Sequence, residues 1–250
     1  MTTFVLLRGW AREARHWDEF PAQLATEFPG ARIETPDLPG CGVRRAEESP
    51  LHIADYVDSI RGTLAGDVRS APFHLLGISM GGMIAIEWAR RHPGDLAGGT
   101  LVNTSALPFA WPHERLRPRN YAAIAGIALH PRDAQRREQT VLGFTSNLRA
   151  HDERLLAEWT RFTQERPVQP RNVMRQLMAA AAFRAPQEPP PVPWLVLCSA
   201  ADRMVDPVCS RRLAHAWQAP LREHPTAGHE LTVDDGPWVA RQVREVFGTA

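Results

Sequence analysis

The stretch Gly77-Ile78-Ser79-Met80-Gly81 stands between an apolar run, Phe73-His74-Leu75-Leu76, and an amphipathic one that begins at Met80. A serine flanked in this way fits a tight strand-to-helix turn, where Gly77 and Gly81 remove the β-carbons that would collide as strand and helix close. The turn would hold Ser79 at a helix N-terminus, whose dipole favours developing negative charge. A hydroxyl is a weak nucleophile at neutral pH and needs a histidine base, with an acid to orient that base. The chain supplies both in the order Ser, Asp, His: Ser199-Ala200-Ala201-Asp202 just past one strand and Ala227-Gly228-His229-Glu230 after the next. The expected roles are attack by Ser79, proton transfer by His229 and orientation of His229 by Asp202.

The rivals read more simply in other ways. His224 falls inside a strand. Asp206-Pro207 and Asp234-Asp235-Gly236-Pro237 look like helix caps followed by proline. After the strand that ends at Val102, another place for such an acid, the chain has Asn103. A tetrahedral oxyanion also needs donors. The Met80 amide is one, and the Trp10 amide in the loop Arg8-Gly9-Trp10 is the second. Arg8, Gly9 and Trp10 are expected to border the substrate pocket, with the Trp10 and Met80 side chains walling its acyl portion.

These residues must be positioned by one core. The 250 residues, 44% hydrophobic and 23% charged, suit a single α/β core better than two domains. All 29 cationic residues are arginine and none is lysine, which excludes Schiff-base, P-loop-lysine and kinase-type chemistry. A formal net charge of +1 provides no global attraction for nucleic acid or an anionic membrane. The three cysteines, Cys41, Cys198 and Cys209, lack CxxC or zinc spacing and point to a reducing, cytoplasmic setting. The start of the chain is too short an apolar run for a signal segment or a membrane span. The histidines are dispersed and there is no HExxH, so neither metal nor organic cofactor is expected.

Strand-like runs at Thr3 to Leu7, Ala31 to Thr35, Pro72 to Leu76, Gly99 to Val102, Trp194 to Ser199 and Leu221 to His224 alternate with helical patterns. The helices are expected at Trp17 to Phe28, Ile53 to Leu64, Met80 to Arg91, Cys209 to Trp217 and Trp238 to Phe247. This order predicts a six-stranded parallel sheet covered on both faces. About ninety residues separate Val102 from Trp194, far more than a βα unit needs. They read as helical over Asp133 to Leu148, His151 to Gln164 and Asn172 to Phe183, and they return through the proline-rich Pro186 to Pro193. The expected division is a core of residues 1–104 and 192–250 with a helical lid at 105–191.

Leu6-Leu7-Arg8-Gly9-Trp10, Pro36-Asp37-Leu38-Pro39-Gly40-Cys41-Gly42, Gly77-Ile78-Ser79-Met80-Gly81-Gly82, Asp202 and Gly228-His229 together resemble the recurring blocks of the α/β-hydrolase superfamily, over essentially the whole chain. Within it the chain resembles the small carboxylesterases similar to pimeloyl-acyl-carrier-protein methyl ester esterase. That resemblance implies an α/β-hydrolase fold, a four-helix-type lid after the family's sixth strand, and a serine esterase or thioesterase with an acyl-enzyme intermediate and no cofactor. Two departures stand out. Arg8-Gly9 replaces the family's usual His-Gly, and the chain starts at what would be the third strand, so about six strands are expected. Ser79 excludes the nucleophilic aspartate of the dehalogenases and epoxide hydrolases of the superfamily.

The charge is segregated. From Arg115 to Arg184 there are 13 Arg against 6 acidic residues, while the rest of the chain has 16 Arg and 22 acidic residues. A basic lid would steer a small acidic ester or thioester, or an acyl carrier protein, toward the site. The same run also reads as a solvated helical surface in an arginine-rich protein. A non-turnover ligand receptor of the same fold, and C–C hydrolase or haloperoxidase-like chemistry on the same triad, stay open on motif alone.

Overall fold

A computed structural model describes residues 2–129 and 132–248. The strands are β1 (Thr3–Leu7), β2 (Arg32–Glu34), β3 (Phe73–Ile78), β4 (Leu96–Val102), β5 (Trp194–Ser199) and β6 (Leu221–His224). They form one parallel sheet in the order β2-β1-β3-β4-β5-β6. The chain runs outward from β1 to β2 and then returns past β1 to β3, so the direction of winding reverses between β1 and β3. In an open parallel sheet such a switch point leaves a crevice at the carboxyl ends of the strands, and β3 delivers Ser79 there.

Alternate residues of each strand enter opposite cores, as the two-residue period of a strand requires. Val5, Leu7, Leu75, Leu101 and Val196 pack with α2 (Ile53–Thr63), α3 (Met80–Arg91) and α9 (Val208–Trp217). Phe4, Leu6, Leu76, Ile78, Val102, Leu195 and Leu197 pack with α1 (Phe20–Glu27) and α11 (Gly236–Phe247), which lie together on the other face. Because both faces are covered, β3 and β5 are buried along their whole length and show no polar alternation. Helix α3 is buried from Met80 to Ala89.

Most boundaries shift by one to three residues from the sequence reading, and two of the shifts have a clear physical cause. The stretch expected as one helix over Trp17 to Phe28 is a 3₁₀ turn, Ala14–Trp17, followed by α1, because Asp18 takes a left-handed φ of 52° between them. Its carboxylate accepts from Arg149, which holds the break open for a contact across the fold. Strand β4 starts at Leu96 rather than Gly99. Gly98 and Gly99 weaken the strand signal, yet a β-carbon at Gly99 would lie 2.3 Å from the Trp194 ring and one at Gly98 would lie 2.7 Å from Phe247, so the aromatic packing needs these glycines.

The segment between β4 and β5 contains α4 (Pro112–Arg115), α5 (Tyr121–Leu129), α6 (Ala134–Thr145), α7 (Glu153–Glu165) and α8 (Pro170–Ala182). On α7, Leu155, Trp159 and Phe162 form one apolar stripe at i, i+4 and i+7. The stripe is buried against Leu142 of α6 and against Val233 of the short α10 (Leu231–Asp234), in a cluster separate from the two sheet cores. The same segment reaches the strand ends through polar contacts: the Trp10 indole donates to Val173 O at 2.8 Å, and Ala11 N donates to the Gln176 side chain at 2.8 Å.

Candidate active site

Ser79 takes φ 55° and ψ −119°, a conformation that costs a side-chain-bearing residue about 1–3 kcal/mol. The turn is over-determined by its surroundings. Ser79 N donates to Val102 O at 2.9 Å, and Ser79 O accepts from Thr104 Oγ1 at 2.6 Å and from Gly82 N at 3.0 Å. A β-carbon at Gly77 would come within 2.3 Å of Gly81 O, and one at Gly81 within 2.1 Å of Leu7 O. Neither backbone can move without opening the sheet, so only glycine fits at these two places. Ser79 itself is half-buried at the N-terminus of α3.

His229 and Asp202 come together as the sequence reading expects. His229 Nδ1 lies 2.7 Å from Asp202 Oδ2, with both side chains buried. Asp202 Oδ1 accepts from Met204 N at 2.7 Å and from Val205 N at 3.0 Å, which fixes the carboxylate independently of the histidine. Burial presses the imidazole toward its neutral form, but the Asp202 carboxylate against it, with Glu230 behind, outweighs burial and raises the His229 pKa above its ordinary value. Engaging Nδ1 with Asp202 leaves Nε2 as the nitrogen for any other partner.

The loop after β1 closes on Ser79. A β-carbon at Gly9 would stand 3.1 Å from Ser79 Cβ and 3.7 Å from Ser79 Oγ, so glycine lets the backbone approach the serine. Among the described residues, neither the Trp10 nor the Met80 N–H donates to a protein acceptor. The side chains of this group differ from expectation. Met80 is 1% exposed and packs in the core with Leu7, Leu38 and Ile84, so it brings only its amide to the strand edge. The Arg8 side chain, expected at the pocket border, is turned inward: it is 1% exposed, its guanidinium lies 4.7 Å over the Trp17 ring, and it donates through Nη2 to both oxygens of Glu230 at 2.8 and 2.7 Å.

The rival residues are accounted for. His224 accepts from Ala227 N at 2.9 Å and meets Asp235 at 3.2 Å, away from Asp202. Asp235 accepts from Trp238 N as a helix cap, and Asp206, one residue before the cap position of α9, accepts from Val208 N at 3.0 Å and from Arg117 Nη2 at 2.7 Å. Asp234 is not a cap. It accepts from Gly228 N at 2.6 Å, Asn147 N at 2.9 Å and Ser146 Oγ, and so pins the turn between α6 and α7 to the loop that carries His229. The three cysteines are free and buried, with burial pushing each thiol up to about 12, which removes them as competing nucleophiles.

Asn103 is a site residue whose role the sequence reading missed. With φ 45° at the end of β4, it receives Ser199 N at 2.8 Å and donates to Ser199 Oγ at 3.2 Å, Gly228 O at 3.2 Å and His229 O at 2.8 Å. It therefore ties the ends of β4 and β5 to the His229 loop. An asparagine directly after an apolar strand, one of the few residue types that tolerate a positive φ, was the available signal.

A six-stranded parallel sheet of this order, with a strained serine after its third strand and a buried Asp–His pair at the same edge, defines the α/β-hydrolase class. The Alpha/beta hydrolase family matches residues 4–242, and the chain belongs to that family. The chain is 34% identical over 127 residues to the pimeloyl-acyl-carrier-protein methyl ester esterase of Chromobacterium violaceum, covering 50% of this chain and 45% of that protein. It thus spans about half the length of that relative and of the like-named Aromatoleum aromaticum protein. To the like-named protein of Aeromonas hydrophila it is 28% identical over 243 residues, covering 88% of this chain and 90% of that one. Among solved structures, the enol-lactonase of Burkholderia xenovorans superposes with a TM-score of 0.79 at 20% identity, covering 99% of this chain and 91% of that one. Among the described residues no helix is long and apolar enough to cross a membrane.

Proposed function

We propose that this protein is a serine hydrolase that cleaves carboxylic esters or thioesters through a Ser79 acyl-enzyme. The observation that carries the reading is the strained Ser79 turn at the same sheet edge as His229, whose Nδ1 is held by Asp202. In the proposed reaction, His229 Nε2 takes the Ser79 proton as Oγ attacks the acyl carbon. The Trp10 and Met80 amides receive the oxyanion, and the imidazolium formed on His229 is stabilised by Asp202. Collapse expels the alcohol or thiol, which leaves with the proton from His229. Water then repeats the sequence to release the acid and restore Ser79. Oxyanion donors of this kind contribute about 3–4 kcal/mol of transition-state stabilisation each.

The chain's own residues supply every role, so the proposal includes no metal or cofactor. Residues 105–191 are proposed to form a lid over this edge, which is consistent with the contacts of Val173, Gln176 and Asn147 to the loops that carry the site. The names of the relatives favour an acyl-carrier-linked ester as substrate. Within the segment, Arg119, Arg136, Arg161 and Arg171 make no ion pair among the described residues, so their charge is open to an acidic partner.

The test is a stopped-flow burst with p-nitrophenyl acetate, paired with fluorophosphonate labelling. One equivalent of acylation is expected in the wild type, with loss of both burst and label in Ser79→Ala and a strong reduction in His229→Ala. Unchanged turnover in Ser79→Ala refutes the reading.

A further inference from the structure

Arg8 occupies the position where its superfamily usually has histidine, and it pairs with the residue directly after His229. This geometry is unusual in three respects. Arg8 is 1% exposed and Glu230 5% exposed, so the pair is sealed from solvent. The contact runs through Nη2 alone, while Nε and Nη1 are buried with no acceptor among the described residues, so Glu230 is the guanidinium's one carboxylate partner there. The pair also joins two pieces of the site that are distant in sequence. Arg8 precedes Gly9 and Trp10, whose loop abuts Ser79, and Glu230 follows His229. A buried ion pair is seldom retained for stability alone, because desolvation offsets most of its attraction and an apolar pair of similar volume serves as well.

We propose, building on the reading of Ser79 and His229 given above, that Arg8 and Glu230 are a positioning pair that holds the amide-bearing loop after β1 in register with the His229 loop. The pair also places two opposite charges beside one imidazole. The Glu230 carboxylate favours the imidazolium and the Arg8 guanidinium opposes it, so the two act against one another, and Asp202 is the dominant partner of His229. Burial alone would raise the Glu230 pKa, but Arg8 and, farther off, Arg12 hold it below the usual carboxylate range, so the carboxylate is charged throughout the working pH range. The other charged and titratable groups around His229 do not change this balance. Asp202 faces Nδ1 from the loop after β5, and Asp234 of α10 is spent on Gly228, Asn147 and Ser146. Arg12 is paired with Glu138 at 2.6 Å, and His16 is kept neutral by burial and by the cations of Arg12 and Arg8.

The prediction is a shift whose direction follows from the charge removed, which loosened packing would not produce. In Arg8→Met the guanidinium is lost and burial, no longer opposed by it, raises the Glu230 pKa, so both charges weaken together and the His229 titration does not move to lower pH. In Glu230→Gln the guanidinium stays charged without its partner and moves the titration to lower pH by about half a unit or more, and the double variant returns near the wild-type value. Arg8→Lys keeps the charge but loses the planar contact, so it leaves the titration in place and lowers kcat about tenfold through the displaced loop. The titration is read by NMR of isotope-labelled histidine in a Ser79→Ala background, so it does not depend on hydrolysis; the burst experiment tests the hydrolase reading separately. Folding of each variant is checked by near-ultraviolet circular dichroism. A shift to lower pH in folded Arg8→Met, no shift in folded Glu230→Gln, or a shifted titration in Arg8→Lys each overturn the proposal.

Discussion

At His229 two influences compete, and the outcome fixes a pH dependence. Burial favours the neutral ring, yet the Asp202 carboxylate at 2.7 Å, aided by Glu230, raises the pKa above the ordinary 6.5. A protonated His229 cannot accept the Ser79 proton, so on the proposed mechanism activity falls as pH drops through this raised value. The midpoint of the acid limb of kcat/KM is therefore expected above pH 6.5. Asp202→Asn removes the carboxylate that raises the pKa and offers Nδ1 an amide that can hold the wrong tautomer. The expected outcome is an acid limb moved to lower pH together with a loss of about 1,000- to 10,000-fold in kcat. Initial rates with p-nitrophenyl acetate from pH 5 to 9 check both effects, and an unmoved limb in the variant removes Asp202 from the role assigned to it.

The elements place these side chains through a small number of clamps at the carboxyl edge, and Asn103, with four side-chain hydrogen bonds, is one of them. It is 2% exposed and holds the ends of β4 and β5 and the His229 loop in one arrangement. Asn103→Gly keeps the backbone comfortable at φ 45° but leaves Ser199 N and two loop carbonyls without their partner. A destabilisation of about 3 kcal/mol is expected, measured as a lowered urea midpoint. Asn103→Ala adds about 1 kcal/mol of backbone strain to that. Clamps of this kind explain where the sequence was legible and where it was not. Strands β1 and β5 and helix α3 could be read to the residue, because apolar runs bounded by Gly, Pro and Ser declare themselves locally, and β6 could be read because Pro220 and Pro225 bracket it. The places of Ser79, Asp202 and His229 just after strands could be read because these are local facts too. The pairing of Arg8 with Glu230 and the bonds of Asp234 to the turn after α6 join residues more than 80 positions apart, and no local pattern announces which arginine meets which acid. Gly98 cut the reading of β4 short for the same reason, since the Phe247 ring that needs it comes from α11.

Over the whole molecule the net charge of +1 hides a division that the fold makes spatial. The stretch with 13 Arg against 6 acidic residues lies within the one segment inserted between β4 and β5, and it touches the loops carrying His229 and Trp10. Arg117, Arg149 and Arg154 of this segment are already matched with carboxylates, so the field it presents is weaker than the residue count suggests. What remains acts at a distance and is screened with a Debye length of about 10 Å at 0.1 M salt. If the proposed lid steers an acidic carrier domain, raising salt from 20 to 300 mM raises KM for a carrier-linked ester severalfold, because association slows, while kcat holds. For neutral p-nitrophenyl acetate the same change leaves KM unaltered, and that contrast separates steering from any effect of salt on the triad. Charge reversal of Arg136 and Arg171 to Glu should flatten the salt dependence with the carrier substrate and leave the small ester untouched. A carrier-linked KM that ignores ionic strength assigns the arginines to solvation alone, with substrate choice then resting on the shape of the crevice at the carboxyl ends of the strands.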